Sequence, residues 1–192
     1  YLDGMVYRVI RDSSTMFLEL LAGKLDYMDL SKQQYVYQTA DKSFSDKFKV
    51  YRSLSFGYGF MGYNLKSPLF QDVRVRKAFA HAVNKSDLID GALFGQGVPT
   101  IGPYRPGNWA YNDKIKDYPY DTGKAAELLA EAGWKAGRDG VLVQDGLHFS
   151  FPLLVNKGNS ERLKTAILIQ PQPRPLAVAA ERGALEWAAF IT

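Results

Sequence analysis

Two hydrophobic periods meet in the middle of this chain. From Leu54 to Tyr63 apolar and aromatic residues alternate with glycines and small polar residues. Side chains in a strand alternate between faces, so Phe56, Tyr58 and Phe60 fall on one face. Gly57 and Gly59 leave the other face nearly bare, which admits a second backbone or a ligand. The alternation predicts a strand over 54–63, followed by a turn at Asn64-Leu65-Lys66-Ser67-Pro68. From Asp72 the period lengthens to that of a helix. Two sets then recur at helical spacing, Val73, Lys77, Ala80 and His81 on one hand and Val75, Ala78, Phe79 and Ala82 on the other, and Gln71-Asp72 offers a side-chain oxygen to the first-turn N–H groups.

The same reading extends outward in both directions. Tyr1 to Arg11 alternates as a strand, and Lys24 to Leu30 as a shorter one. Between them Asp12-Ser13-Ser14 caps a helix with Met16, Phe17, Leu20 and Leu21 on its buried stripe, closed at Gly23. A short helix is expected near 32–39. Ser86-Asp87-Leu88 starts another helix that ends at Gly95 or Gly97, and Asp121-Thr122 starts a third that Gly133 stops. Asp145-Gly146 between two alternating runs predicts a tight hairpin. The strand then continues through Phe151 to Asn156, and Asn159 caps a helix over 160–169. Residues 97–112 carry Pro99, Gly102, Pro103, Pro106 and Gly107, which forbid regular structure. That loop also carries Tyr104, Trp109 and Tyr111, and large aromatics on a long loop mark a functional candidate.

Composition narrows the chemistry. The chain has 192 residues, of which 46% are hydrophobic and 14% aromatic, with 12 Tyr. Such an aromatic content fits an interface or a ligand groove. Lys and Arg number 24 against 20 Asp and Glu, a net charge of +4, and no basic run forms a nucleic-acid stripe. The absence of cysteine removes disulfides, zinc–thiolate sites and thiol nucleophiles. No apolar run reaches the roughly 18 residues of a membrane span. The chain opens at Tyr1 in mid-pattern without a Met, as a processed product or a piece of a longer protein would.

No catalytic constellation can be assembled. His81 and His148 are single and unsupported, and His81 reads as a packed helical side chain. Asp139 and Asp145 lack the ligand series of a calcium loop. Glu127 and Glu131 fall on one helical face that reads as solvent-exposed. Catalytic residues, metal ligands and cofactors are therefore expected to be absent.

A longer pattern unites these pieces. Arg8-Val9-Ile10, Phe17-Leu18-Glu19-Leu20 and Ala22-Gly23-Lys24-Leu25-Asp26-Tyr27-Met28 precede Gly62-Tyr63-Asn64, Pro68-Leu69-Phe70, Asp72-Val73-Arg74-Val75-Arg76-Lys77-Ala78 and Asn84-Lys85. The whole resembles the family 5 extracytoplasmic solute-binding proteins, the oligopeptide- and dipeptide-type binding components of ABC importers. The helix phrase 118–134 is again like that family. The resemblance implies an α/β fold with mixed sheets, part of a periplasmic-binding-protein type II-like architecture. Residues 1–62 would form the C-terminal part of the first lobe and 63–170 the start of the second. Residues 171–192 form a tail that departs from the family pattern. Pro171, Pro173 and Pro175 cannot lie inside a helix, so a weakened strand and a disturbed edge are expected after Gln170. The pattern returns at Leu185 to Ile191 as a final strand, as two compensating frame shifts would produce.

By the same resemblance the chain binds a peptide or similar small solute between two lobes and hands it to an ABC permease in the membrane. It would be periplasmic or extracytoplasmic, membrane-associated through the permease, and not an enzyme. Candidate ligand-wall residues are Tyr58, Phe60, Tyr63, Tyr104 and Trp109. The family's Asp anchor for a peptide amino terminus would fall beyond Thr192. The alternative is a folded fragment that self-associates through open strand edges and binds no solute.

Overall fold

A computed structural model of the chain describes residues 1–10, 12–157 and 159–190. It divides into two compact units, Tyr1–Arg52 and Ser53–Thr192.

The first unit is helical where it is regular. Helix α1 (Ser13–Leu21) starts at Asp12, whose carboxylate accepts from the Thr15 N–H at 2.7 Å. Helix α2 (Lys32–Tyr37) starts with a reciprocal cap. Ser31 accepts from the Gln34 N–H, and the Gln34 side chain accepts from the Ser31 N–H. Gln34 is buried and spends its amide N–H on the Ser13 carbonyl at 2.9 Å, which ties α2 to the start of α1. Helix α3 (Lys42–Ser45) adds Phe44, and Phe17, Leu20 and Phe44 form the small core. The Phe17 and Phe44 rings stack 5.8 Å apart. The strands expected at 1–11 and 24–30 are not formed among the described residues, and Arg11 lies outside them. Alternation there specifies a face, but a strand also needs a neighbouring backbone to bond.

The second unit has a larger core. A 3₁₀ turn at Pro68–Phe70 leads into helix α4 (Val73–Ala82), whose buried residues are Val75, Ala78, Phe79 and Ala82, the second of the two sets at helical spacing. Asp72 caps it through the Arg74 N–H and pairs with the Arg74 guanidinium at 2.6 Å. The same guanidinium donates to the Glu131 carbonyl at 2.6 Å, fastening α4 to the end of helix α6 (Thr122–Glu131). Between them, helix α5 (Lys85–Leu93) begins at Asn84, slightly earlier than the Ser86 start expected.

Three short antiparallel strands follow: β1 (Lys135–Ala136), β2 (Leu142–Gln144) and β3 (Leu147–His148). The turn between β2 and β3 has Asp145 at φ 51° and Gly146 at φ 81°, as a two-residue hairpin turn demands. Strand β4 (Ser150–Asn156) and helix α7 (Ser160–Ile169) come next, α7 capped by Asn159 as expected.

The tail corrects the sequence reading. The prolines are absorbed in turns after α7 and a 3₁₀ turn at Arg174–Leu176, where Pro173 is buried. Strand β5 (Ala179–Leu185) then pairs parallel with β4 from Ser150↔Ala179 to Asn156↔Leu185 without a break. The expected weakened strand is thus a continuous ladder. The ladder ends at Asn156↔Leu185. The chain turns instead into helix α8 (Trp187–Phe190), where a strand was expected, and Ile191 lies outside the described residues.

At the centre of this unit, Phe149 joins the hairpin to β4. It is fully buried, with Trp134, Phe79 and Phe70 around it at ring separations of 4.4, 5.7 and 6.1 Å.

Candidate binding surface

The strand expected at 54–63 is not formed among the described residues. Its aromatics are turned outward: Phe56 and Phe60 are each 77% exposed and Tyr58 49%. The Tyr58 and Phe60 rings sit 5.5 Å apart and make one apolar wall. At Gly59 an added Cβ would meet nothing within 4 Å, so that side of the segment is open.

Tyr63 behaves differently. Its ring lies 5.2 Å from Phe70 and 6.2 Å from Phe79, on the edge of the main core. Burial pushes its phenol up to about 12, opposed only by the nearby Arg76 charge. Tyr63 therefore anchors the end of the segment while Phe56, Tyr58 and Phe60 stand clear.

The loop of residues 97–112 is ordered by its own polar groups. Thr100 donates through its hydroxyl to the Gly102 carbonyl at 2.9 Å. Asn108 accepts from the Ala110 N–H at 2.9 Å, and its own N–H donates to the Arg105 carbonyl. Gly107 adopts φ 81°, a conformation that favours glycine. Around a hollow of about 210 Å³ the loop arranges Ile101, Pro103, Tyr104, Tyr111 and Ile115. Trp109 points away, 95% exposed.

One contact joins the loop to the extended segment. The Arg105 guanidinium lies over the Phe56 ring, 4.7 Å from its centroid. The sequence reading missed Arg105. The available signal was a lone cation in a Pro- and Gly-rich loop, flanked by Tyr104 and Trp109.

A second hollow, of about 550 Å³, lies beside β1 to β3 and is lined by Lys135, Arg138, Asp139 and His148 among others. His148 Nδ1 is 3.1 Å from Asp139 Oδ2. Asp139 is held below the usual carboxylate range chiefly by the Val141 N–H, with His148 a lesser cause. Among the described residues no three His, Cys, Asp or Glu side chains converge to hold a metal ion. His81 donates through Nδ1 to the Pro119 carbonyl at 2.8 Å and packs edge-on against Tyr118, as a structural histidine does. No helix among the described residues is long and apolar enough to cross a membrane.

The arrangement can be compared with known proteins. The model of the bacterial extracellular solute-binding proteins, family 5 (middle), matches residues 1–191. The oligopeptide-binding protein AppA of Bacillus subtilis (strain 168) is 33% identical over 194 residues, covering 100% of this chain and 35% of that protein. Heme-binding protein A of Haemophilus influenzae is 29% identical over 189 residues, covering 98% of this chain and 33% of that protein. Among solved structures, AppA in complex with a nonapeptide superposes with a TM-score of 0.80 at 31% identity, covering 96% of this chain and 36% of that one. NikZ from Campylobacter jejuni in complex with Ni(L-His) gives 0.79 at 27% identity, with 94% and 36% covered. The chain spans about a third of the length of these relatives.

Proposed function

The chain belongs to the family 5 bacterial extracellular solute-binding proteins, and we propose that it supplies one wall of a peptide-binding groove in the extracytoplasmic component of an ABC importer. Its fold is part of the periplasmic-binding-protein type II-like architecture. In the proposed arrangement residues 1–62 close the first lobe and 63–170 open the second. The cargo is handed to a membrane permease, which holds the protein at the membrane, and no bond is made or broken in it.

The observation that carries this reading is the exposed, unpaired segment 54–60. Its backbone N–H and C=O groups join no ladder among the described residues and can bond an extended peptide main chain, and Tyr58 and Phe60 can line its side chains. Tyr104 and Trp109 extend the apolar surface from the loop, and Tyr63 holds the segment to the core. The bound nonapeptide in the related AppA structure supports peptide as the cargo class.

The test is isothermal titration of the intact protein with di- to nonapeptides, before and after Phe60→Ala. Saturable binding that weakens about tenfold on losing the ring is expected, since an aromatic stacking contact contributes about 1 kcal/mol and the ring's buried area adds to it. Absence of binding to every peptide length would refute the proposal.

A further inference from the structure

Arg105 is held in an arrangement that its own protein leaves incomplete. Its guanidinium rests on Phe56, and its Nε is buried with no hydrogen-bond partner among the described residues. Buried donors nearly always have a partner, and the exceptions call for an explanation. The contact with Phe56 attracts the cation but offers no acceptor. The ion pairs of the neighbouring elements are made by other cations: Arg74 with Asp72, Lys85 with Asp117 and Lys124 with Glu127.

A guanidinium carries five N–H donors in a planar fork that matches a carboxylate in two parallel bonds. Here the fork is stacked on one ring and placed next to Tyr104, on the bridge between the aromatic segment and the aromatic loop. Contact with the ring, 4.7 Å from its centroid, restrains the fork before any ligand arrives, so less side-chain freedom is lost on binding.

We propose that Arg105 receives a carboxylate of the bound solute, an inference that rests on the peptide-binding reading above. Two sources share this chemistry: the C-terminal carboxylate of a peptide and the side chain of Asp or Glu. Arg105 would then select acidic or free-ended peptides, while the aromatic walls stay indifferent to sequence. Phe56 would be a positioning residue, acting through the cation it carries.

The experiment measures Kd by titration calorimetry on the intact protein with three probes. These are an Ala/Leu pentapeptide with a free C-terminus, its C-terminal amide, and the amide carrying one internal Glu. For the unaltered protein, amidation is expected to weaken binding about 10- to 100-fold, the usual range for a hydrogen-bonded charge pair. Arg105→Gln should weaken the free-acid peptide by a similar factor and leave the plain amide unchanged. Recovery of affinity by the Glu-bearing amide would assign the site to an acidic side chain; no recovery would assign it to the chain terminus. Arg105→Lys, which keeps the charge and loses the fork, should retain part of the preference. Phe56→Leu, which removes the ring and keeps the guanidinium, should narrow the acid-over-amide preference without abolishing it. Equal affinity of the unaltered protein for acid and both amides would overturn the proposal and leave the peptide reading standing. So would an equal loss for acid and amide in Arg105→Gln, which would make Arg105 a packing residue. Failure of the unaltered protein to bind any peptide would overturn both.

Discussion

Replacing Phe149 with Ala should remove much of the stability of the second unit. The side chain has no exposed surface, and it touches rings from three different parts of the chain: Phe70, Phe79 and Trp134. A buried Phe withdraws roughly 200 Å² from water. At about 25 cal/mol per Å² that is about 5 kcal/mol, of which Ala keeps the Cβ share. Measured truncations of this kind cost about 3 to 5 kcal/mol, cavity included. Against a total stability of about 5 to 15 kcal/mol, such a loss brings the unit close to unfolding. Phe149→Leu keeps most of the volume and loses the ring contacts, so about 1.5 kcal/mol is expected. The assay is urea unfolding followed by tryptophan fluorescence, where Trp134 lies against the altered position. Phe60→Ala is the internal control. Its ring is 77% exposed, so stability should change by no more than about 0.5 kcal/mol. A loss below about 1 kcal/mol for Phe149→Ala, or one no larger than for Phe60→Ala, would refute this division of the aromatics into core and surface.

Two pH effects follow from groups that adjoin α4. Tyr63 keeps its proton up to about 12 because it is buried, whereas the unfolded chain ionises near 10. Stability is therefore full below pH 10 and falls as pH rises toward 12, by on the order of 2 kcal/mol; Tyr63→Phe should flatten that fall in an alkaline unfolding series, and an unchanged slope would count against the burial of this ring. Asp72 is held below its ordinary value chiefly by hydrogen bonds from the Arg74 side chain. Its contribution is present above the unfolded-state value near 4 and is lost as pH falls below it, so the melting-temperature gap between the parent and Asp72→Asn should close in acid; a gap that persists undiminished at about pH 2 would exclude the charge as its cause.

Local signals along the chain were legible because they act over a few residues. Asp12, Asp72, Asp121 and Asn159 each cap the helix they announce. Asp145-Gly146 sets its hairpin because both residues can adopt positive φ. Strand pairing is a different matter, since alternation carries no information about the partner. Three alternating stretches, 1–11, 24–30 and 54–63, read as strands and form no ladder among the described residues. The reverse holds at Ala179–Leu185, where Ala, Glu, Arg and Gly are weak strand formers. Its pairing with β4 overrides that preference. Gly183 sits where an added Cβ would come within 2.7 Å of Leu154, so the absence of a side chain there serves packing across the ladder. Of the candidate surface, the aromatic residues could be picked out from the sequence, but the placement of Arg105 could not. Its meaning depends on Phe56, which is distant in sequence and adjacent in space.

The exposed segment also links fold to function through its energetics. Residues 54–60 join no ladder among the described residues; Tyr63 fixes their C-terminal end, and Arg105 lies over the largely exposed Phe56. A stretch with few buried contacts sits at the low-stability end of a protein. Ordering it costs about 1 to 2 kcal/mol per residue of backbone freedom, which the chain's own packing offsets poorly there. A peptide that bonds this backbone and covers Tyr58 and Phe60 would add the missing contacts, and by linkage it would raise the melting temperature. The lack of a ladder among the described residues, which made the sequence reading wrong about a strand, would in the proposed groove leave this backbone available to a peptide.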